Sequence, residues 1–194
     1  MLFHAAAYGA WPSIEANGLR TAAQLFEGAG RPYVAALRAD VVELPQPWGA
    51  AARLSDQRQF LRGRLDDHLD GIDLAGWAAL LDGRVFLYPQ QKDVSVLLAR
   101  HHQDGRDLIV FDTPRVLALH RDRVEVATLQ LVSFIVGNGP LLSAAVFEPL
   151  VTFPDPVSGI VDVTVVDGIA DVGPLVSRVV RYHPDRSTEV LFQR

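Results

Sequence analysis

An α+β fold is what this chain predicts, on three observations. Helical spacing of apolar residues concentrates in the first half. Runs rich in β-branched residues gather in the second half. The segments do not alternate regularly, as a wound βαβ sheet would require. The 194 residues, 49% apolar and 21% charged, suit one domain with a substantial core.

Residues 2 to 6 read as a short strand carrying His4. Pro12 suits the first turn of a helix, where its missing donor costs nothing, and Gly18 suits the stop. Thr21 caps a second helix over 21 to 27, and the Pro-rich stretch at 45 to 49 is a loop. Ser55 is placed to cap a long helix, DQRQFLRGRLDDHL, with Phe60, Leu61, Leu65 and Leu69 at helical spacing. The helix LAGWAALL stops at Asp82-Gly83, and RVFLYP follows as a buried strand. KDVSVLLARHH returns to helix, DLIVFD is a second buried strand, and Thr113-Pro114 opens the helix PRVLALH. RVEVATLQLVSFIV holds one or two strands, closed by Gly137-Asn138-Gly139-Pro140. GIVDVTVVDGI is a strand with a turn, while LVSRVVRYHP leaves strand and helix open. The ending EVLFQ matches the recognition sequence of a viral protease used with expression vectors. The domain is therefore drawn over 1–186, and 187–194 is set aside as a tail, vector-derived or natural.

The net charge of −5 argues against coating nucleic acid by bulk attraction. Of the 18 Lys and Arg residues all but Lys92 are arginine, and Arg53, Arg58, Arg62 and Arg64 lie close together. With Asp56, Asp66 and Asp67 interleaved, they read as a solvated helix face or as a phosphate-binding patch. No run is long and apolar enough for a membrane helix, so no membrane partner is expected. The absence of cysteine excludes disulfides and thiolate metal sites, and with no leader segment the expected location is cytoplasmic. His101, His102 and His120 show no metal-ligand spacing, so no metal is expected. Ser133 and Ser143 lack an elbow motif, and the glycines at 137 to 139 lack a phosphate-loop pattern.

Asp162 stands out, because a carboxylate among β-branched residues must face solvent, a partner or a ligand. Simple alternation on a half-buried strand is the competing account. His4 and Tyr88 each read alone as structural, as does Trp11. Gln57 and Arg58 flank a helix start, where a capping role competes with contact to substrate or phosphate.

Taken in order, LFHAAAYGAWPSIEANGL, VFLYPQQKDVSVLLARHH, DLIVFDTPRVL and IVDVTVVDGIADV resemble the ADP-ribosyltransferase superfamily, and within it the DarT-like branch and a related bacterial family. That resemblance implies a split β-sheet core with surrounding helices, and a glycosyltransferase that consumes NAD as a substrate. It implies that His4 holds a ribose, that Tyr88, or less favourably Phe86, packs on nicotinamide, and that Asp162 is the catalytic acid. Lys92 stands near the place where DarT proteins carry a cofactor-gripping Arg, and the late acid is Asp where they carry Glu. The acceptor implied is a nucleic-acid base, with Gln57 and Arg58 as substrate contacts, and a toxin role stands beside a defence or metabolic one. The alternative is a catalytically degenerate domain that binds a protein partner through the apolar 129–150 stretch.

Overall fold

A computed structural model describes residues 1–61, 64–100, 102–129, 131, 141–153 and 159–194. In chain order the elements begin with β1 (Leu2–Ala7), α1 (Trp11–Asn17), α2 (Ala22–Gly28), β2 (Val42–Leu44), β3 (Ala52–Leu54) and α3 (Arg58–Leu61). Then come α4 (Leu74–Asp82), β4 (Arg84–Leu87), α5 (Gln91–Arg100), β5 (Arg106–Phe111) and α6 (Thr113–His120). The rest are strands: β6 (Val124–Ala127), β7 (Glu148–Pro149), β8 (Asp162–Val166), β9 (Val176–Tyr182) and β10 (Thr188–Gln193).

Two four-stranded sheets, ordered β1-β5-β9-β10 and β4-β8-β6-β7, form beside a small β2–β3 ribbon. Every strand ladder among the described residues is antiparallel, so the fold is α+β. One apolar cluster joins the sheets, with Leu2, Ile109, Phe111 and Val179 from the first and Val85, Leu87, Val163 and Val165 from the second. A second cluster gathers around Trp77, including Phe60, Leu65, Leu142 and Phe147. Among the described residues no helix is long and apolar enough to cross a membrane.

Local chemistry explains the ends of the first helices. Pro12 sits in the first turn of α1, and Gly18, at φ 83°, ends it while its N–H donates to the Ile14 carbonyl. Thr21 and Gln24 form a reciprocal capping box on α2. Asp112 caps α6, and Asp73 caps α4. The segment LVSRVVRYHP, left open between strand and helix, is mostly strand β9.

Three expectations are corrected. The helix from Ser55 does not run through to residue 69: α3 is one turn, and Leu65–His68 is a separate 3₁₀ turn. Asp56, not Ser55, accepts the Arg58 N–H, because Gln57 is turned inward to pair with Arg38. The described arginines of this stretch therefore share no helix face: Arg53 lies on β3, Arg58 on α3 and Arg64 just ahead of the 3₁₀ turn, while Arg62 is outside the described residues. Thirdly, the segment set aside as a tail forms β10, pairing from Thr188 opposite Tyr182 to Gln193 opposite Arg178. Phe192 packs 6.0 Å from Trp11, which itself is buried, and its neighbour Leu191 also packs on the core where the β9–β10 register shifts between Val190 and Phe192.

Of the 129–150 stretch, the described Leu131, Leu142 and Phe147 are buried in the second cluster, which leaves them unavailable to a partner. Ser133 and residues 137 to 140 lie outside the described residues, as does His101.

Candidate functional site

Among the described residues the backbones of the two sheets are hydrogen-bonded at one bridge, where Phe3 and Tyr88 exchange bonds of 3.0 and 2.7 Å. A continued antiparallel ladder would next bond the Ala5 N–H to the Phe86 carbonyl. Instead the His4 ring inserts, its Nδ1 lying 3.0 Å from that carbonyl oxygen. β1 and β4 separate there, and a cleft of about 1120 Å³ opens. Its walls come from β1, α1, the β2–β3 ribbon, β4, the first turn of α5 and the start of β8.

A carbonyl only accepts, so His4 Nδ1 carries the proton and Nε2 is left as an acceptor in the neutral ring. Burial lowers the His4 pKa against the opposing effect of the Phe86 carbonyl, which keeps the ring neutral near pH 7. Asp162 begins β8 beside Ala127, and its carboxylate makes no hydrogen bond or ion pair among the described residues. Burial, then the negative charge of Asp93, pushes its pKa up to about 6. The half-buried Tyr88 hydroxyl is raised by burial and by the same two carboxylates, Asp162 and Asp93. His4, Tyr88, Asp93 and Asp162 thus line one cleft, with a neutral acceptor, a flat ring and two acids.

The remaining expected residues separate into three groups. Lys92 lies exposed on the cleft rim, in the first turn of α5. Phe86 also reaches the cleft, but its ring packs edge-on against Phe147 at 6.1 Å, and its carbonyl is what holds His4. Gln57 is buried in the wall, where Oε1 accepts from Arg38 N and Nε2 donates weakly to Asp82 at 3.4 Å. Arg58 is not brought to the cleft: it is bound to Asp40 at 2.5 Å and to the Ala39 carbonyl at 2.6 Å on the surface. Arg64 is likewise paired with Asp67, so these two are separate solvated ion pairs and not a phosphate-binding patch.

Several cleft residues were not singled out from sequence. Asp93, an acid in the first turn of the helix after the FLYP strand, carries a signal that could have been read: that turn abuts the strand end holding Tyr88. Arg38 and Asp82 form an ion pair at 2.7 Å on the cleft wall, with Asp82 only 2% exposed. Trp48 donates to Ser13 Oγ at 2.9 Å and lies under the Arg20 guanidinium at 4.7 Å. These pairings join residues far apart in sequence and have no local signature.

Fold and site together define an α+β protein with a mixed polar and apolar cleft where two antiparallel sheets part. The chain belongs to a family of unknown function, DUF7002, whose sequence pattern matches residues 1–173. No curated protein and no solved structure matches it.

Proposed function

We propose that the protein is an NAD-dependent mono-ADP-ribosyltransferase built on the split-sheet core of that superfamily, acting on a nucleic-acid base. The observation that carries this reading is the convergence of His4, Tyr88 and Asp162, from the first, middle and last parts of the chain, on one cleft. The cleft volume of about 1120 Å³ suits an extended dinucleotide, since small-molecule sites run to roughly 1,000 Å³.

In this reading His4 Nε2 accepts from a ribose hydroxyl, and the Tyr88 ring packs on the flat, electron-poor nicotinamide. The bond between ribose C1′ and the pyridinium nitrogen breaks heterolytically, and its electron pair leaves with nicotinamide. Positive charge develops on the ribose, where the ionised Asp162 carboxylate opposes it inside a partly desolvated cleft. The acceptor then forms a bond to C1′ and gives up its proton to an adjacent carboxylate. Arg53 is the cation on the cleft wall nearest in kind to a phosphate contact for such an acceptor, since Arg58 and Arg64 are paired elsewhere.

The test is NAD binding and nicotinamide release by the wild type, His4→Ala and Asp162→Ala. The expected result is weakened NAD binding in His4→Ala, and binding without release in Asp162→Ala. Absence of NAD binding by the wild type at millimolar concentration would remove the reading. NAD binding without nicotinamide release in the wild type would leave the degenerate, partner-binding alternative.

A further inference from the structure

We infer that Trp48 and Arg20 form a stacking site for a purine base, where α1 faces the loop that leads into β3. The chain has three tryptophans. Trp11 and Trp77 are 4% and 0% exposed, whereas Trp48 is half-buried and lines the cleft. An indole often stays near water because its N–H needs a partner. That reason does not apply to Trp48, whose Nε1 donates to Ser13 Oγ at 2.9 Å. The ring is held by the protein itself, and its open area on the cleft wall does not serve the N–H.

The Arg20 guanidinium lies over this ring, 4.7 Å from the centroid. One helix end positions both groups. Gly18 stops α1, and Leu19 then exchanges backbone bonds with Ile169, both of 2.8 Å, which fixes the main chain beside Arg20. Arg20 Nε donates to the Asn17 carbonyl at 3.1 Å, and Asn17 Nδ2 donates to the Ser13 carbonyl at 3.0 Å. Ser13, Asn17, Arg20 and Trp48 all line the cleft. Arg38 and Arg84 on the same wall are each spent on a carboxylate at 2.7 Å. Arg20 has no carboxylate partner among the described residues, and its two Nη groups make no hydrogen bond there. It is an exposed flat cation held against an aromatic ring.

Nucleobases stack on aromatic rings and on guanidinium planes alike. A guanidinium laid on an indole offers that surface with N–H donors left over for the base edge or its phosphate. A purine, with two fused rings, covers more of it than a pyrimidine does. The wall beside the pair leaves room for a flat ligand. A Cβ added at Gly49 would meet nothing within 4 Å, and Ala50, Ala51 and Ala52 on the cleft wall carry no side chain beyond Cβ. The inference uses none of His4, Tyr88 and Asp162, so it stands whether or not the cleft takes NAD.

With Trp11 and Trp77 buried, tryptophan fluorescence reports on this site through Trp48. AMP, ribose 5-phosphate and a single-stranded oligodeoxyadenylate are titrated at matched ionic strength into the wild type, Arg20→Gln, Trp48→Leu and Arg64→Gln, the last replacing an exposed arginine elsewhere. Binding is read by fluorescence and by calorimetry. AMP is expected to quench the wild type and Arg64→Gln alike, and ribose 5-phosphate to leave both unchanged. Quenching is expected to vanish in Trp48→Leu. Arg20→Gln is expected to bind AMP at least fivefold more weakly, at an unchanged melting temperature without ligand. An oligonucleotide bound more tightly than AMP assigns the base to nucleic acid, and one bound no more tightly assigns it to a free nucleotide. A wild type that responds to AMP no more than to ribose 5-phosphate overturns the site. Undiminished AMP binding by Arg20→Gln overturns it as well, even where Trp48→Leu fails to fold. AMP binding without nicotinamide release from NAD counts against the NAD reading alone.

Discussion

Replacing Asp107 by Asn is the sharpest test of how the wall behind His4 is held. Asp107 is 0% exposed, and its Oδ1 accepts from Arg181 Nε at 2.7 Å. Its Oδ2 accepts from Arg181 Nη2 and from the Trp11 backbone N–H, each at 2.9 Å. The carboxylate therefore pins the first turn of α1 to β5, and α1 supplies Ser13, Ile14 and Asn17 to the cleft. Asn keeps one carbonyl for these three donors and turns an NH₂ group towards the others. Breaking a buried ion pair from one side costs about 3–5 kcal/mol. Arg181 retains 18% side-chain exposure and a place over the Tyr8 ring at 5.0 Å, which puts the loss near the lower end, about 3 kcal/mol. For a chain of this size that is a fall in Tm of roughly 6–12 °C. Urea unfolding of Asp107→Asn, Arg181→Met and the double variant measures it, with the double variant expected to lose clearly less than the sum of the singles. A loss under about 1 kcal/mol, or strict additivity, would refute the reasoning.

Three further outcomes follow from the geometry. Gly18→Ala sets a Cβ 2.5 Å from the carbonyl oxygens of both Ile169 and Ala170 at φ 83°, so urea unfolding should show a loss of about 2 kcal/mol or more. The Asp162 carboxyl has a folded-state pKa of about 6 against 3.8 in the unfolded chain, so the native state holds the proton more tightly, and this contribution to stability is lost as pH rises from about 4 through about 6. Asp162→Asn should accordingly match the wild type near pH 4 and exceed its unfolding free energy by about 2 kcal/mol at pH 7.5, a value discounted for the side of the carboxylate that faces the cleft. Asp93→Asn removes the charge that helps hold the Asp162 midpoint up, so the acid limb of nicotinamide release should move to lower pH, and an unmoved limb would take Asp93 out of the site.

What could be read from the sequence was what is decided within a few residues. The Pro12 start, the Gly18 stop, the Thr21 cap and the Asp82-Gly83 end are local hydrogen-bonding and steric matters, and each stands where the residue types place it. The Ser55 helix failed for a non-local reason. Gln57 and Arg58 have backbone and side-chain partners at Arg38, Ala39 and Asp40, and those long-range bonds compete with a helix that spacing alone favours. β10 was set aside because EVLFQ matches a protease recognition sequence, and nothing local outweighed that, since the residue it docks on, Trp11, belongs to the other end of the chain.

The site divides along the same line. Asp162 was visible because a carboxylate in a β-branched run violates the local pattern, and a violated pattern marks a constraint from elsewhere. Asp93 and Asp82 violate nothing locally: an acid in the first turn of a helix and an acid at the end of one before a glycine are ordinary. Their meaning lies in partnership, which appears only once the chain is folded and each buried donor and acceptor is matched. His4 joins the two cases. Its strand could be read, but its role depends on where the β1–β4 ladder stops, and it stops because the imidazole takes the Phe86 carbonyl that Ala5 would have used. The residue that opens the cleft is therefore also one that faces into it. Replacing His4 by alanine removes both the acceptor and the wedge, whereas glutamine preserves a donor for Phe86 and an acceptor for the cleft. Nicotinamide release retained in His4→Gln but lost in His4→Ala, at equal stability, would separate that hydrogen-bonding role from simple filling of space.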